Sequence, residues 1–114
     1  PARASPSLST QPTLPARGPR ASDSFVAERL LLDAARTALA SDRLAAALEA
    51  TAQHEREYPD GAMVQEREAI AIRALVGLGR SGEARERVAR FRARFPESVL
   101  LPAVEAAAGA ESLP

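Results

Sequence analysis

One phrase occurs twice in this chain, and it restricts the fold more than any other feature. Leu44-Ala45-Ala46-Ala47-Leu48-Glu49 runs on to Tyr58-Pro59, and Gly82-Glu83-Ala84-Arg85-Glu86 runs on to Phe95-Pro96. Ala47 precedes Pro59 by 12 residues and Ala84 precedes Pro96 by 12, so the copies are offset by 37. A period of this length, closed by an aromatic residue and proline, predicts stacked helical hairpins, because one such hairpin cannot bury its apolar face alone.

Helical spacing elsewhere agrees. A first helix is predicted over about 24–40, with Ser22, Asp23 and Ser24 as competent N-caps and a stripe of Leu31, Ala34, Ala35 and Ala38, Leu32 and Leu39 beside it. Ser41-Asp42 breaks and recaps the chain. A second helix follows to about Glu57, with Leu44, Leu48, Thr51 and Tyr58 on one face and small Ala47 at the closest approach. Pro59-Asp60-Gly61 ends it by turn chemistry. A third helix is predicted over about 62–78, on Met63, Ile70, Ala74 and Leu78, widened by Ala71 and Leu75 as for a helix buried between neighbours. Gly79 suits the position just past its end. Ser81 can cap a fourth helix reaching about Arg94, with the stripe Ala84, Val88, Phe91 and Phe95, and Pro96 stops it. A fifth, about 99–108 after Ser98, would cover the open end with Leu100, Val104 and Ala107. No segment alternates at period two for long enough to be a strand. The expected fold class is therefore all-α: about five antiparallel helices, as two hairpins and a C-terminal capping helix.

The expected organisation is a Pro/Ser/Arg-rich disordered linker over 1–22, a helical domain over 23–108 and a disordered tail over 109–114. Residues 1–22 hold most of the prolines and cannot bury enough apolar surface to offset chain entropy. Pro12-Thr13-Leu14-Pro15 has a PxxP spacing, a short and common match that reads as linker in preference to a docking motif. A chain that begins with Pro rather than Met reads as a fragment or processed product, and leaves room for an anchor upstream.

Composition narrows the chemistry. Of 114 residues, 15 are basic and 15 acidic, and every basic one is Arg. Balanced charge argues against nucleic-acid binding as the main task. The absence of Cys excludes disulfides, thiolate nucleophiles and thiolate metal sites. No apolar run approaches a membrane span. Hydrophobic residues reach 46%, but only 4% are aromatic and many are Ala, so helices must pack closely.

Two hairpins with Ala47 and Ala84 at the contact and Tyr58-Pro59 and Phe95-Pro96 at the ends resemble the tetratricopeptide repeat, over about residues 24–108. Ala47 and Ala84 take that family's small position in the second helix, and Pro59 and Pro96 its terminal proline. The pattern departs elsewhere: Leu31 and Glu68 replace an early aromatic, Ala35/Ala38 and Ile72/Leu75 replace its Gly and Tyr, and the period is about three residues long. The phrases REYP, GAMVQERE and ALVGLGRSGEARERVARFRARFP look closest to repeat domains of bacterial cell-envelope proteins. The resemblance implies a non-enzymatic scaffold that binds a protein or peptide, in the periplasm or envelope, with the cytoplasm as the alternative. It also implies that first helices line a concave groove, placing Arg29, Leu32, Arg36 and Leu39 beside Glu66, Ala69, Arg73 and Val76. Arg36 and Arg73 are 37 apart and equivalent, and two Arg side chains in one groove could hold a carboxylate bidentately. Two repeats and a cap fall below the three usually needed, so a partner or self-association through Phe25, Val26 and Leu30 is expected.

Catalytic and metal sites find no material. His54 is the only His, and beside Glu55 and Glu57 it reads as part of a solvated helix face. Gly77-Leu78-Gly79-Arg80-Ser81-Gly82 lacks the preceding strand and the Lys of a phosphate loop, so it reads as a helix turn. No cofactor is expected. The remaining asymmetry is basic: from Arg80 to Pro96 there are six Arg and two acidic residues, with Arg80, Arg87 and Arg94 spaced by seven and Arg90 among them. These flank the apolar stripe and suit either a solvated face or a patch for an acidic partner. The second functional reading is therefore a regulatory helical domain docking an acidic partner or nucleic acid through this fourth helix.

Overall fold

The computed structural model describes residues 21–112. Five helices follow in order: α1 (Ala21–Ala40), α2 (Leu44–Glu57), α3 (Val64–Gly77), α4 (Ser81–Arg94) and α5 (Leu101–Ser112), with no strand among the described residues. α1 and α2 form one antiparallel hairpin and α3 and α4 a second. α3 lies at the centre, against α1, α2, α4 and α5.

The 37-residue offset recurs in the turns and helix ends. α2 and α4 are each 14 residues long and begin 37 apart. Both hairpin turns reverse through a left-handed residue, Asp42 at φ 61 and Gly79 at φ 79. At the first, Arg43 N–H donates to Ala38 O at 2.8 Å and Asp42 N–H to Leu39 O; at the second, Arg80 N–H donates to Leu75 O at 2.8 Å and Gly79 N–H to Val76 O. This paired closure satisfies carbonyls that the last turn leaves open. Both second helices end alike, because proline drives its predecessor out of the helical region: Tyr58 has φ −136 and ψ 60, Phe95 has φ −130 and ψ 63. Neither Arg43 nor Arg80, at the N-caps, makes a side-chain capping bond, so Ser41-Asp42 and Ser81 do not cap as expected.

The core has two clusters, one on each side of α3. Ile70 and Ala74 join Leu32, Ala35, Ala38 and Ala47 of the first hairpin. Ile72 and Leu75 join Ala84, Val88 and Phe91 of α4 and Val104 and Ala108 of α5. Ala47 and Ala84 are both fully buried, so each hairpin closes over a methyl group. Truncating Phe91, the largest fully buried side chain, to Ala would cost about 3–5 kcal/mol.

Several sequence expectations are corrected. The buried line of α1 is Glu28, Leu32, Ala35 and Ala38, whereas Ala34 is exposed, because the helix is rotated to offer Glu28 to the next junction. Leu78 lies beyond α3 and is 39% exposed. α5 begins at Leu101, and Val99 is 90% exposed: Ser98 Oγ accepts the Leu100 N–H in a turn before the helix. Ala108 rather than Ala107 is buried with Val104. Ala21-Ser22 are helical rather than linker, and α5 carries residues 109–112, which hold no proline to stop it. The rest of the expected linker, PxxP included, and residues 113–114 lie outside the described residues.

Candidate functional site

The largest departure from the sequence reading is a buried polar seam. Glu28, His54 and Arg67 are 3%, 0% and 2% exposed, although all three are polar. Glu28 projects from α1 to the start of α3. Its Oε2 accepts the Met63 N–H at 2.8 Å and its Oε1 the Ala62 N–H at 3.2 Å. A carboxylate here satisfies N–H groups that α3 cannot, and meets the positive end of the helix dipole. Gly61 makes room for it: a Cβ there would lie 2.2 Å from Glu28 Oε2.

His54 Nε2 lies 2.9 Å from Glu28 Oε2, and Arg67 Nη1 lies 3.4 Å from His54 Nδ1. A guanidinium can only donate, so this network assigns the ring proton to Nε2 and leaves Nδ1 as acceptor. Arg67 Nε donates to Glu68 Oε2 at 2.9 Å. Arg87 of α4 donates to both Glu68 oxygens, at 3.0 and 3.1 Å, and reaches Glu55 at 3.7 Å. The seam thus crosses four helices, α1 to α4, and gives each buried charge hydrogen-bond partners, without which burial would be very costly. His54 is therefore not on a solvated face. The signal available in the sequence was positional: His54 stands 37 residues before Phe91, where the second repeat has a core ring. The ring pairs correspond, His54–Tyr58 at 5.5 Å and Phe91–Phe95 at 5.3 Å.

The residues assigned to a concave groove divide. Leu32 is fully buried and belongs to the core. Arg36 pairs with Asp33 one turn earlier and with Glu66 of α3 at 2.9 Å. Leu39 is half-buried against the first cluster. Arg29 and Arg73 are exposed with no ion-pair partner among the described residues. Arg36 and Arg73 therefore differ despite equivalent positions, since Ala103 stands where Glu66 would recur.

The basic residues of α4 are mostly engaged. Arg80 pairs with Glu83, Arg87 with Glu68 and Glu55, and Arg94 with Asp60 at 3.1 Å while lying 5.0 Å over the Phe95 ring. Arg92 pairs with Glu105 of α5 at 2.6 Å. Of the four patch residues, only Arg90 has no ion-pair partner among the described residues. Arg87 and Arg90 line two adjoining cavities of about 280 and 150 Å³ along α2 and α4. Glu83 and Glu86 edge the larger and Glu55 and Glu68 the smaller, so neither is a simple anion site. Among the described residues no group of three His, Asp or Glu could hold a metal, and no helix is long and apolar enough to cross a membrane.

Large apolar side chains remain uncovered at one end. Phe25, Val26 and Leu30 of α1 are 44%, 54% and 63% exposed. No protein-family model, curated protein or solved structure matches the chain.

Proposed function

We propose that this chain is a non-enzymatic, tetratricopeptide-like interaction module that docks a protein partner on the outer face of α1. The uncovered Phe25, Val26 and Leu30 carry this reading. Isolated exposed apolar residues are ordinary, but Val26 and Leu30 lie one turn apart on the same face of α1, with Phe25 next in the chain, and adjacent exposed apolar side chains are the feature that marks docking surfaces. The arginines support it indirectly: Arg36, Arg80, Arg87, Arg92 and Arg94 pair with carboxylates inside the domain, so most of the basic charge along α4 is balanced by internal partners. The likeness of the REYP and GAMVQERE phrases to envelope repeat domains supports placing the module in a larger bacterial envelope protein, as a scaffold.

The test is site-specific photo-crosslinking of the full chain in its native cells, with the reactive residue at Leu30 or, as control, at exposed Arg56 on α2. A discrete adduct from position 30 and not from position 56 is expected. Equal labelling from both positions, or none from position 30, would reject the docking face.

A further inference from the structure

The 37-residue equivalence identifies what the open face of α1 is built to meet. α3 packs on the first hairpin, with Ile70 and Ala74 in the first core cluster, Met63 beside them and Arg67 against His54. α5 packs on the second hairpin through Val104 and Ala108, with Leu100 just before it. Two of these positions recur one repeat apart, Met63 matching Leu100 and Arg67 matching Val104, and buried Ala71 matches buried Ala108. One repeat earlier they become Val26, Leu30 and Ala34, all on the uncovered face of α1. The central position is the clearest. Arg67 is 2% exposed and Val104 0%, each seated on the preceding hairpin, yet Leu30 is 63% exposed.

We infer that the α1 face is a stacking face for one further two-helix hairpin, with Leu30 as the knob it receives. This rests on the reading of α1 as a docking surface and adds the class of partner. The equivalents say what the partner presents. Val104 is clustered with Phe91 and Ala84, so Leu30 requires an apolar residue at the Phe91 place and a small one at the Ala84 place. A polar hole like His54 would suit Arg67 but not Leu30. A second copy of this chain has no free hairpin to offer, because α3 covers its first and α5 its second.

The experiment keeps the whole chain and inserts a second copy of residues 64–100 after Val26, which preserves the 37-residue register. The inserted hairpin should raise Tm by about 5 °C or more. Leu30→Glu should leave the natural chain's Tm nearly unchanged and abolish the gain in the extended chain. No gain, or an equal effect of Leu30→Glu in both chains, overturns the stacking face. A natural-chain dimer in sedimentation that Leu30→Glu disperses overturns it in favour of self-association. Deletion of residues 1–20 that lowers Tm only while Leu30 is present overturns it in favour of the chain's own N-terminal segment. None of these readouts depends on the crosslinking result, so the docking reading and the hairpin assignment can fail separately.

Discussion

The Glu28 carboxylate and the His54 imidazole meet in the interior, Oε2 to Nε2 at 2.9 Å, and join α1 to α2 directly over the first turn of α3. The same positions recur one repeat later in other chemistry. Gln65 stands 37 residues after Glu28, and its Oε1 accepts from Ser98 Oγ at 2.6 Å, while Ser98 Oγ takes the Leu100 N–H at 3.0 Å. Ser98 in turn stands 37 after Gly61. In the first junction a long acidic side chain needs a glycine opposite; in the second a serine fills that space and a neutral amide suffices.

Acidification should reveal Glu28. Burial pushes its carboxyl up and is the largest single influence, but hydrogen bonds from the Met63 N–H, His54 and the Ala62 N–H together overcome it and hold the group below its ordinary 4.5. A folded value below the unfolded one means the stabilisation is complete above about 4.5 and is lost as pH falls through the folded value. Glu28→Gln should cost about 1–3 kcal/mol at pH 7 and flatten the stability curve on the acid side. Urea titrations of both proteins between pH 7 and pH 3 decide this; parallel acid limbs would assign the loss elsewhere.

Gly61→Ala should destabilise by about 1–3 kcal/mol, because the new methyl group displaces the Glu28 carboxylate from two backbone N–H groups. Gly82→Ala is the control. A Cβ at Gly82 meets nothing within 4 Å in the first turn of α4, so this change should be neutral or stabilise by about 0.5–1 kcal/mol. Thermal melts of the two variants should move in opposite directions or differ clearly in size.

His54 and Arg67 should behave as a unit. His54→Phe alone removes both the donor to Glu28 Oε2 and the acceptor facing Arg67 Nη1, and should cost about 1–3 kcal/mol. Adding Arg67→Val reproduces the Phe91/Val104 pairing of the second repeat and should recover the part of the loss that comes from an unpaired Arg67, while the part that comes from Glu28 persists. A double-mutant cycle by urea unfolding measures the coupling, expected above about 0.5 kcal/mol. Simple additivity would mean the two side chains do not share the seam.

The hairpin turns offer a paired test. Asp42 adopts a left-handed backbone that its Cβ disfavours, and Gly79 adopts the same one freely. Asp42→Gly should be neutral or stabilise by a few tenths of a kcal/mol, whereas Gly79→Ala should cost about 1 kcal/mol. Differential scanning calorimetry checks both, and equal shifts would contradict the equivalence of the two turns.

The elements that the sequence announced share a local cause. Helix ends at Tyr58 and Phe95 follow from the proline behind each, and Gly79 closes α3 because it tolerates positive φ. Ala47 and Ala84 were legible as contact points from the repeat alone. The rotation of α1 was not, since Leu31 and Ala34 carry as much local apolar pattern as Leu32 and Ala35. The seam was hidden for a similar reason. Glu28, His54 and Arg67 are 26 and 13 residues apart, and polar residues at such spacings read as solvated.

By itself, the sequence of this protein determined the five helices, the two hairpins and the 37-residue register, because each rests on short-range backbone preferences and on apolar spacing within one helix. Only the tertiary structure decided that Glu28, His54 and Arg67 belong inside, that Arg87 and Arg94 are held by acidic partners, and that Leu30 is left outside. Those outcomes depend on which face each helix turns to its neighbours and on whether distant polar groups meet. A buried charge is tolerable only where partners satisfy it, and those of Glu28, which are His54 and the Ala62 and Met63 N–H groups, reach it only once the helices have packed.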